Sequence, residues 1–265
     1  MLIHPTAVIA KKAELDSTVH VGPYAVIEEG VRIGADTRVM PHAVIFGPTT
    51  IGERNLIGSF ATIGGAPQDL SYKGEPTELI IGNDNQIREY ASIHRGTPGG
   101  HGKTIIGNNN LLMAYIHIAH DCELGDHVIM ANVATLAGHV AVGSHASIGG
   151  LVAIHQFCRI GCFSYIGGVS GIGLDVPPYV IIAGTRNRTR ISGINKIGLK
   201  RNGFSRETIS KLENAFRIIF RSPNLLIKDA LELAKQEITD CPEVDCMVRF
   251  FEESKRGVVK RTVED

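Results

Sequence analysis

A repeat of six residues is the feature that most restricts how this chain can fold. Every sixth residue is aliphatic from Ile3 to Ile63, and the frame resumes after two interruptions and continues to Ile172. A helix would require apolar residues at a spacing of about 3.6, which this pattern does not offer. A six-residue period is typical of a parallel β-helix, in which each block supplies a short strand and a corner. We therefore predict a mainly β chain with the aliphatic residues inside.

Composition and charge exclude several classes of protein. The formal net charge of the 265 residues is zero, so no overall basic field indicates nucleic-acid binding. The N-terminal sequence MLIHPTAVIA lacks the basic region and long apolar core of a signal peptide, and no apolar run reaches membrane-spanning length. Five cysteines without a CxxC pair are most simply reduced thiols. We expect a cytoplasmic protein that neither inserts into a membrane nor binds nucleic acid.

The six-residue pattern resembles that of the hexapeptide-repeat acyltransferases. This resemblance implies a left-handed parallel β-helix with three blocks, about 18 residues, in each coil, although general crossover preferences favour the opposite hand. Residues 18 apart would then share a face, and the two interruptions would be corner loops near 66–78 and 97–103. The resulting column on one face is Ile63, Ile93, Ile118, Leu136, Ile154 and Ile172.

Several histidines lie beside this column. His94, His117 and His155 flank column residues directly and should point outward, because neighbours in a strand alternate sides. His120 and His139 follow their column residues by two and three positions, toward the corner from which both loops leave. We therefore expect the histidines and both loops to meet along one strip of surface.

His120 is followed directly by Asp121, which suggests a general base with an orienting carboxylate. A neutral imidazole with an ordinary pKa of about 6.5 can accept a proton from a hydroxyl group near neutral pH. An ordinary surface histidine and a zinc site made by His117, His120 and His139 are the alternatives. No Cys or Glu completes an obvious ligand set, so we expect no metal. Cys122 lacks an activating partner and is interpreted as a packing residue.

The repeat stops at the motif DVPPYV, because two prolines cannot continue a ladder of hydrogen bonds. We place a β-helix over residues 1–185 and a linker with an α-helical domain over residues 186–265. Apolar spacing predicts three helices, which begin at Ser205, Ser222–Pro223 and Pro242. Basic residues here form either a face for an acidic partner or an ordinary solvated surface. They are Lys200, Arg201, Arg206, Arg217 and Arg221.

Longer motifs narrow the resemblance. The segments IGGAPQDLSYKGEPT, NNNLLMAYIHIAHDC, GGLVAIHQFCRIG and LKRNGFSR are similar to those of the acyl-[acyl-carrier-protein]–UDP-N-acetylglucosamine O-acyltransferases of lipid A biosynthesis. The similarity extends over nearly the whole chain. It implies a cytoplasmic homotrimer with active sites between subunits. Such an enzyme transfers an (R)-3-hydroxyacyl group from acyl carrier protein to the 3-hydroxyl group of UDP-N-acetylglucosamine, without a metal or another cofactor.

The same resemblance implies roles for individual residues. His120 would be the general base, Asp121 its orienting carboxylate, and the backbone N–H of Gly138 an oxyanion donor. Gly168 falls where the family sets the length of the acyl chain, and its missing side chain implies a longer chain. The substrate-binding residues would be Gln68, Asp69, His117, His139, His155, Gln156, Asn195 and Arg201.

Three features depart from the family pattern. Ser71 replaces a frequent lysine, Asn202 replaces a frequent second arginine, and the linker over 185–193 is longer and more basic than usual. Three other functions stay open. One is a related nucleotide-sugar N-acyltransferase that acts on a 3-amino sugar, and another is a zinc enzyme similar to γ-type carbonic anhydrases. The third is a solenoid that binds a partner without catalysis.

Overall fold

A computed structural model describes residues 2–184, 188–222 and 224–260. Short strands alternate with tight corners at the spacing of the sequence repeat. Every sixth residue from Asn109 to Val169 has a positive φ, between 56° and 65°. This region of backbone space is uncommon for residues other than glycine, and here it turns the chain from one strand to the next. The repeat thus fixes the corner residues as well as the core.

The strands form three parallel sheets, which are the three faces of a β-helix. The first sheet contains β1 (Leu2–Ile3), β4 (His20–Val21), β7 (Arg38–Val39), β10 (Leu56–Ile57), β13 (Gln86–Ile87), β16 (Leu111–Leu112), β19 (Ile129–Met130), β22 (Ser147–Ile148), β25 (Tyr165–Ile166) and β27 (Val180–Ala183). The second contains β2 (Val8–Ile9), β5 (Val26–Ile27), β8 (Val44–Ile45), β11 (Thr62–Gly65), β14 (Ser92–His94), β17 (His117–Ile118), β20 (Thr135–Leu136), β23 (Ala153–Ile154) and β26 (Gly171–Ile172). The third contains β3 (Glu14–Leu15), β6 (Val31–Ile33), β9 (Thr49–Ile51), β12 (Glu78–Ile81), β15 (Lys103–Ile106), β18 (Glu123–Leu124), β21 (Ala141–Val142) and β24 (Arg159–Ile160).

The predicted column of aliphatic residues is confirmed. Ile63 pairs with Ile93, and Ile93 pairs with Ile118, so the register continues across both loops. Leu136, Ile154 and Ile172 extend the column. Both loops leave after strands of the second sheet, β11 and β14, and rejoin the third sheet at β12 and β15. They therefore lie at one corner, between the second and third sheets, which we call the histidine corner.

The corner between the first and second sheets carries exposed apolar side chains along the length of the β-helix. Neighbouring rings stack with centroids 4.7 to 5.1 Å apart. We call this surface the apolar corner, and its residues are Tyr24, His42, Phe60, Tyr90, Tyr115, Val133, Leu151 and Val169.

Beyond the β-helix, β28 (Arg190–Ile194) pairs antiparallel with β27. The division of the chain at residue 185 stays a prediction, and this strand lies on its C-terminal side. The helices are α1 (Lys196–Arg201), α2 (Arg206–Phe220), α3 (Ile227–Glu237) and α4 (Pro242–Glu252). In the described parts of the chain, none of the helices combines the length and apolarity needed to cross a membrane.

Two of the three predicted helix starts agree with the structure. Ser205 caps α2 by accepting a hydrogen bond from the N–H of Thr208, and Pro242 opens α4. The prediction at Ser222–Pro223 is wrong, because α3 begins at Ile227 without a side-chain cap. Pro223 itself lies outside the described residues. The short helix α1 is not among the predicted helices.

Candidate active site

His120 and Asp121 form a hydrogen-bonded pair at the histidine corner. Asp121 is a corner residue with a φ of 58°, and this conformation places its carboxylate beside the ring that precedes it. His120 Nδ1 lies 2.8 Å from Asp121 Oδ2. The Asp121 side chain is fully buried, whereas that of His120 is 14% exposed. The imidazole therefore has one edge on the carboxylate and the other open to the surface.

The second loop holds the carboxylate in place. Thr97 Oγ1 donates to Asp121 Oδ2 at 2.6 Å, and the backbone nitrogen of Thr97 lies 3.1 and 3.0 Å from the two carboxylate oxygens. Burial by itself would raise the pKa of Asp121, but hydrogen bonds from Thr97 and His120 outweigh burial and hold this pKa below its ordinary value. Because an ionised Asp121 can only accept a hydrogen bond, Nδ1 of His120 carries the proton and donates the hydrogen bond to the carboxylate. Nε2 then carries the lone pair that can act as a base.

Gly138 lies against the ring of His120. A Cβ atom at this position would be 2.6 Å from Cε1 and 2.7 Å from Nε2 of His120, closer than real Cβ atoms approach. Among the described residues, no acceptor receives the N–H of Gly138. Only glycine fits here without displacing the ring, and it leaves a backbone donor beside His120.

His139 completes the corner in the next coil. Its ring meets that of His120 edge to face with centroids 5.1 Å apart, and it stacks on Phe157 at 4.5 Å. His139 Nε2 lies 3.9 Å from Asp121 Oδ2. Burial lowers the pKa of His139, and the charge of Asp121 offsets only part of this effect. His139 is therefore a neutral ring at neutral pH.

His94 and His117 lie on the second sheet below the pair. Their rings meet edge to face at 4.9 Å, and His117 Nδ1 lies 2.6 Å from the hydroxyl group of Ser92. Burial is the main cause that lowers the pKa of His117, and it lowers the pKa of His94 to about 4. Both rings are consequently neutral hydrogen-bonding groups.

His155 is held by the segment that follows α4. Arg256 Nη2 lies 2.8 Å from His155 Nδ1, and Arg256 Nε donates to the carbonyl of Gly173 at 2.9 Å. The carbonyl oxygen of Gln156 lies 3.2 Å from the same Nδ1 atom. Because a guanidinium can only donate, the shorter contact with Arg256 forms when Nδ1 accepts, and the ring N–H is then on Nε2. Gln156 is exposed beside it. A cavity of about 610 Å³ adjoins this region and is lined by His139, Phe157, Arg159, Asp175, Glu253, Lys255 and Arg256.

The first loop brings Asp69 toward the same corner. Ser71 donates to Asp69 Oδ1 through its hydroxyl group at 2.7 Å and its backbone N–H at 2.8 Å. These bonds lower the pKa of Asp69, with smaller contributions from His120 and His139. Ser71 thus orients this carboxylate. Gln68 is exposed next to it.

Two alternative chemistries can be compared with this geometry. Ligand atoms of His120, Asp121 and His139 lie within 4.8 Å of one another, the one such cluster of three found among the described residues. A divalent ion bound there would compete with the hydrogen bond between His120 and Asp121.

Cys122 is fully buried, and burial raises the pKa of its thiol to about 12, so it is not a nucleophile at neutral pH.

Comparison with known proteins decides the family. Residues 175–259 match a family model described as Udp N-acetylglucosamine O-acyltransferase, domain 2, and residues 30–65 and 103–138 match bacterial transferase hexapeptide repeats. The acyl-[acyl-carrier-protein]–UDP-N-acetylglucosamine O-acyltransferase of Syntrophobacter fumaroxidans is 50% identical over 98% of this chain and 100% of its own. The chain belongs to this O-acyltransferase family.

Further O-acyltransferases support this assignment. The relative from Halorhodospira halophila is 54% identical over 97% of this chain and 99% of its own. The solved structure of LpxA from Acinetobacter baumannii is 47% identical, covers 98% of this chain and 100% of its own, and superposes with a TM-score of 0.93. The predicted left-handed parallel β-helix with a small C-terminal α-helical domain is thereby confirmed.

In this O-acyltransferase, three of the predicted site residues lie away from the histidine corner. Asn195 caps α1, and its amide donates to the carbonyl of Phe163 at 2.9 Å, beside the corner between the third and first sheets. Arg201 is exposed at the end of α1. Gly168 is exposed next to Val169 of the apolar corner. Within one chain, these residues do not join the histidines.

Two residues that contact the candidate site have no counterpart among the sequence predictions. Thr97 lies in the second loop, whose position was predicted but whose contacts were not. Arg256 reaches His155 from 101 residues away. The six-residue frame gives no information about either one, because both lie outside the repeat.

Proposed function

We propose that this chain transfers an (R)-3-hydroxyacyl group from acyl carrier protein to the 3-hydroxyl group of UDP-N-acetylglucosamine, in the cytoplasm, as the first step of lipid A biosynthesis. The observation that carries the mechanism is the buried, ionised Asp121 bonded to Nδ1 of His120, with Gly138 against the other side of the ring. Family membership supports the choice of substrates.

His120 acts as the general base. Its Nε2 accepts the proton of the sugar hydroxyl as the oxygen attacks the carbonyl carbon of the acyl thioester. Negative charge then develops on the carbonyl oxygen, which accepts a hydrogen bond from the backbone N–H of Gly138. As the intermediate collapses, the C–S bond breaks and the proton on His120 passes to the departing thiolate. The products are the sugar ester and free acyl carrier protein, and no other reactant is needed.

The histidines around the base bind the sugar nucleotide in this proposal. Burial keeps His117 and His139 neutral, so each ring offers one donor and one acceptor without repelling a protonated His120. His155 presents its Nε2–H because Arg256 occupies Nδ1. Gln68, Asp69 and Gln156 add polar groups at the rim of the corner, with Gln68 and Asp69 on the first loop.

We also propose that the active unit is a homotrimer. The apolar corner exposes a continuous stripe of large side chains along the β-helix, more than a monomer usually leaves in water. A second copy packed against the apolar corner would also bring Asn195 and Arg201 to the histidine corner of its neighbour.

Co-expression of a His120→Ala chain with an Arg201→Ala chain should therefore restore part of the activity that each variant lacks. A monomeric mass in sedimentation analysis, or no recovery in the mixed preparation, would contradict this arrangement.

Gly168 is proposed to set the length of the acyl chain. It is exposed, and a Cβ atom built there would stand 3.2 Å from the carbonyl oxygen of Gly150, a tight contact, so glycine leaves room that a side chain would narrow. A set of acyl carrier proteins with different chain lengths should show preference for longer chains. Gly168→Met should shift that preference toward shorter ones.

The defining experiment is mass spectrometry of the product from UDP-N-acetylglucosamine and a 3-hydroxyacyl carrier protein. The expected product is the 3-O-ester, and His120→Ala should lower the rate by about 10²–10⁴. If no loaded acyl carrier protein gave an ester, the proposal would be wrong. An amide formed only with a 3-amino sugar would instead indicate the related N-acyltransferase. Because a ligand cluster is present at the site, zinc content should be measured; activity that requires stoichiometric zinc would favour the metal-dependent alternative.

A further inference from the structure

The carboxylate of Asp121 receives most of its hydrogen bonds from one residue of the second loop. Thr97 is 2% exposed and contributes both its hydroxyl group and its backbone N–H. Asp121 Oδ2 thus accepts from Thr97 Oγ1 at 2.6 Å and from His120 Nδ1 at 2.8 Å. Two donors share the same oxygen, so a change at one alters the other.

The loop around Thr97 is built to keep these donors in place. The carbonyl of Thr97 accepts hydrogen bonds from the N–H groups of Gly100 and Gly102 at 3.2 and 3.1 Å, which close a tight turn. A Cβ atom on Gly100 would collide with the carboxylate of Asp121. The loop backbone therefore packs directly on the carboxylate, and the Asp121 side chain is fully buried.

We propose that Thr97 is a positioning residue for the reaction, which acts on His120 through Asp121. This inference rests on the proposed function, in which His120 is the base. The Thr97 hydroxyl group fixes the orientation of the carboxylate and thereby the plane of the imidazole. It also takes up part of the negative charge on Oδ2, which tunes how strongly that oxygen holds the proton on Nδ1 of His120.

The second effect predicts a direction that can be measured. Without the hydroxyl group, Oδ2 carries more of the negative charge and interacts more strongly with a protonated His120. The protonated, inactive form of the base is then favoured up to a higher pH. The acidic limb of the pH–rate profile consequently moves to higher pH. A residue that only supported the loop would lower activity without moving this limb.

The experiment compares Thr97→Val, which has nearly the same shape without the hydroxyl group, with Thr97→Ser, which retains it. In Thr97→Val we expect kcat to fall by about tenfold, the factor typical of a hydrogen bond to a charged group. The acidic limb of the pH–rate profile should move to higher pH by about half a pH unit. KM for UDP-N-acetylglucosamine should stay within about twofold, because no contact to substrate is lost. Thr97→Ser should keep the limb of the parent protein.

Thr104→Val is the matched control. Thr104 is also buried and its hydroxyl group also contacts Asp121, but it accepts from the backbone N–H at 2.9 Å rather than donating to the carboxylate. This variant should lose stability and leave the acidic limb unchanged. An unmoved limb in Thr97→Val, or an equal shift in Thr104→Val, would overturn the inference. If the parent protein made no ester at all, the proposed function would fail instead.

Discussion

The contact between Gly138 and His120 predicts a large effect from a single added methyl group. In Gly138→Ala, the Cβ atom would stand 2.6 Å from Cε1 of His120, whereas ordinary contact begins at 3.4 Å, so the ring must move by 3.4 − 2.6 = 0.8 Å. His120 is partly exposed and can swing outward, but only by distorting its 2.8 Å bond to Asp121. A displacement of about 1 Å in a catalytic group can cost about 10² in rate. We therefore expect kcat to fall by about a hundredfold.

The cost in folding free energy should be small by comparison. Overpacking typically costs about 1–3 kcal/mol, and an outward movement of the ring places this variant at the lower end. Steady-state kinetics and urea unfolding of the same preparations would separate the two effects. Gly99→Ala is the control, because a Cβ atom there meets nothing within 4 Å.

A double-mutant cycle tests the cause. If the methyl group acts by displacing the ring, Gly138→Ala should have little further effect in a His120→Ala background. The backbone N–H is retained in alanine, so the loss does not come from a missing donor. Full activity in Gly138→Ala, or a hundredfold loss that persists without His120, would refute the reasoning.

Three further predictions concern other parts of the molecule. His94 has a pKa of about 4 in the folded state and of about 6.5 in the unfolded state, so the unfolded state binds more protons between these values and the folding stability falls as the pH drops through this window. The loss should be about 2 kcal/mol from pH 7 to pH 5, as measured by urea unfolding, and it should disappear in His94→Gln. Arg256→Met should raise KM for UDP-N-acetylglucosamine several-fold with a smaller change in kcat, because His155 loses its fixed tautomer, and Arg256→Lys should restore part of the affinity. Charge reversal at Arg206 or Arg217 should raise KM for acyl carrier protein, most strongly at low salt; unchanged kinetics would leave the basic residues as an ordinary solvated surface.

The core and the corners were predictable from the sequence because the repeat determines which face each residue occupies. Ile63, Ile93 and Ile118 were assigned to one column across two loops of different length, and the structure pairs them. The meeting of His120 and His139 followed from the same frame. The six-residue repeat determines the face toward which each side chain points and the distance between coils, so it predicts which residues share a corner.

The same frame could not predict contacts made by residues outside it. The hydrogen bonds of Thr97 depend on the path of a loop, and the bond from Arg256 depends on how the C-terminal segment returns to the β-helix. The start of α3 was misplaced for a related reason. The pair Ser222–Pro223 carries a strong local start signal, yet the helix begins at Ile227, after the turn in which the N–H of Leu225 bonds to the carbonyl of Ser222.

The stacked coils have a consequence for how the chain can change in length. Partners in adjacent coils are normally 18 residues apart, but 30 and 25 apart across the two loops, so the loops add 12 and 7 residues. An insertion inside a strand would instead shift the residues that follow it out of register, so that their side chains turn toward the other side of the sheet. At the histidine corner, additions of either size leave the register intact. New segments can therefore be added beside His120 without moving it, at the corner where histidines of adjacent coils meet.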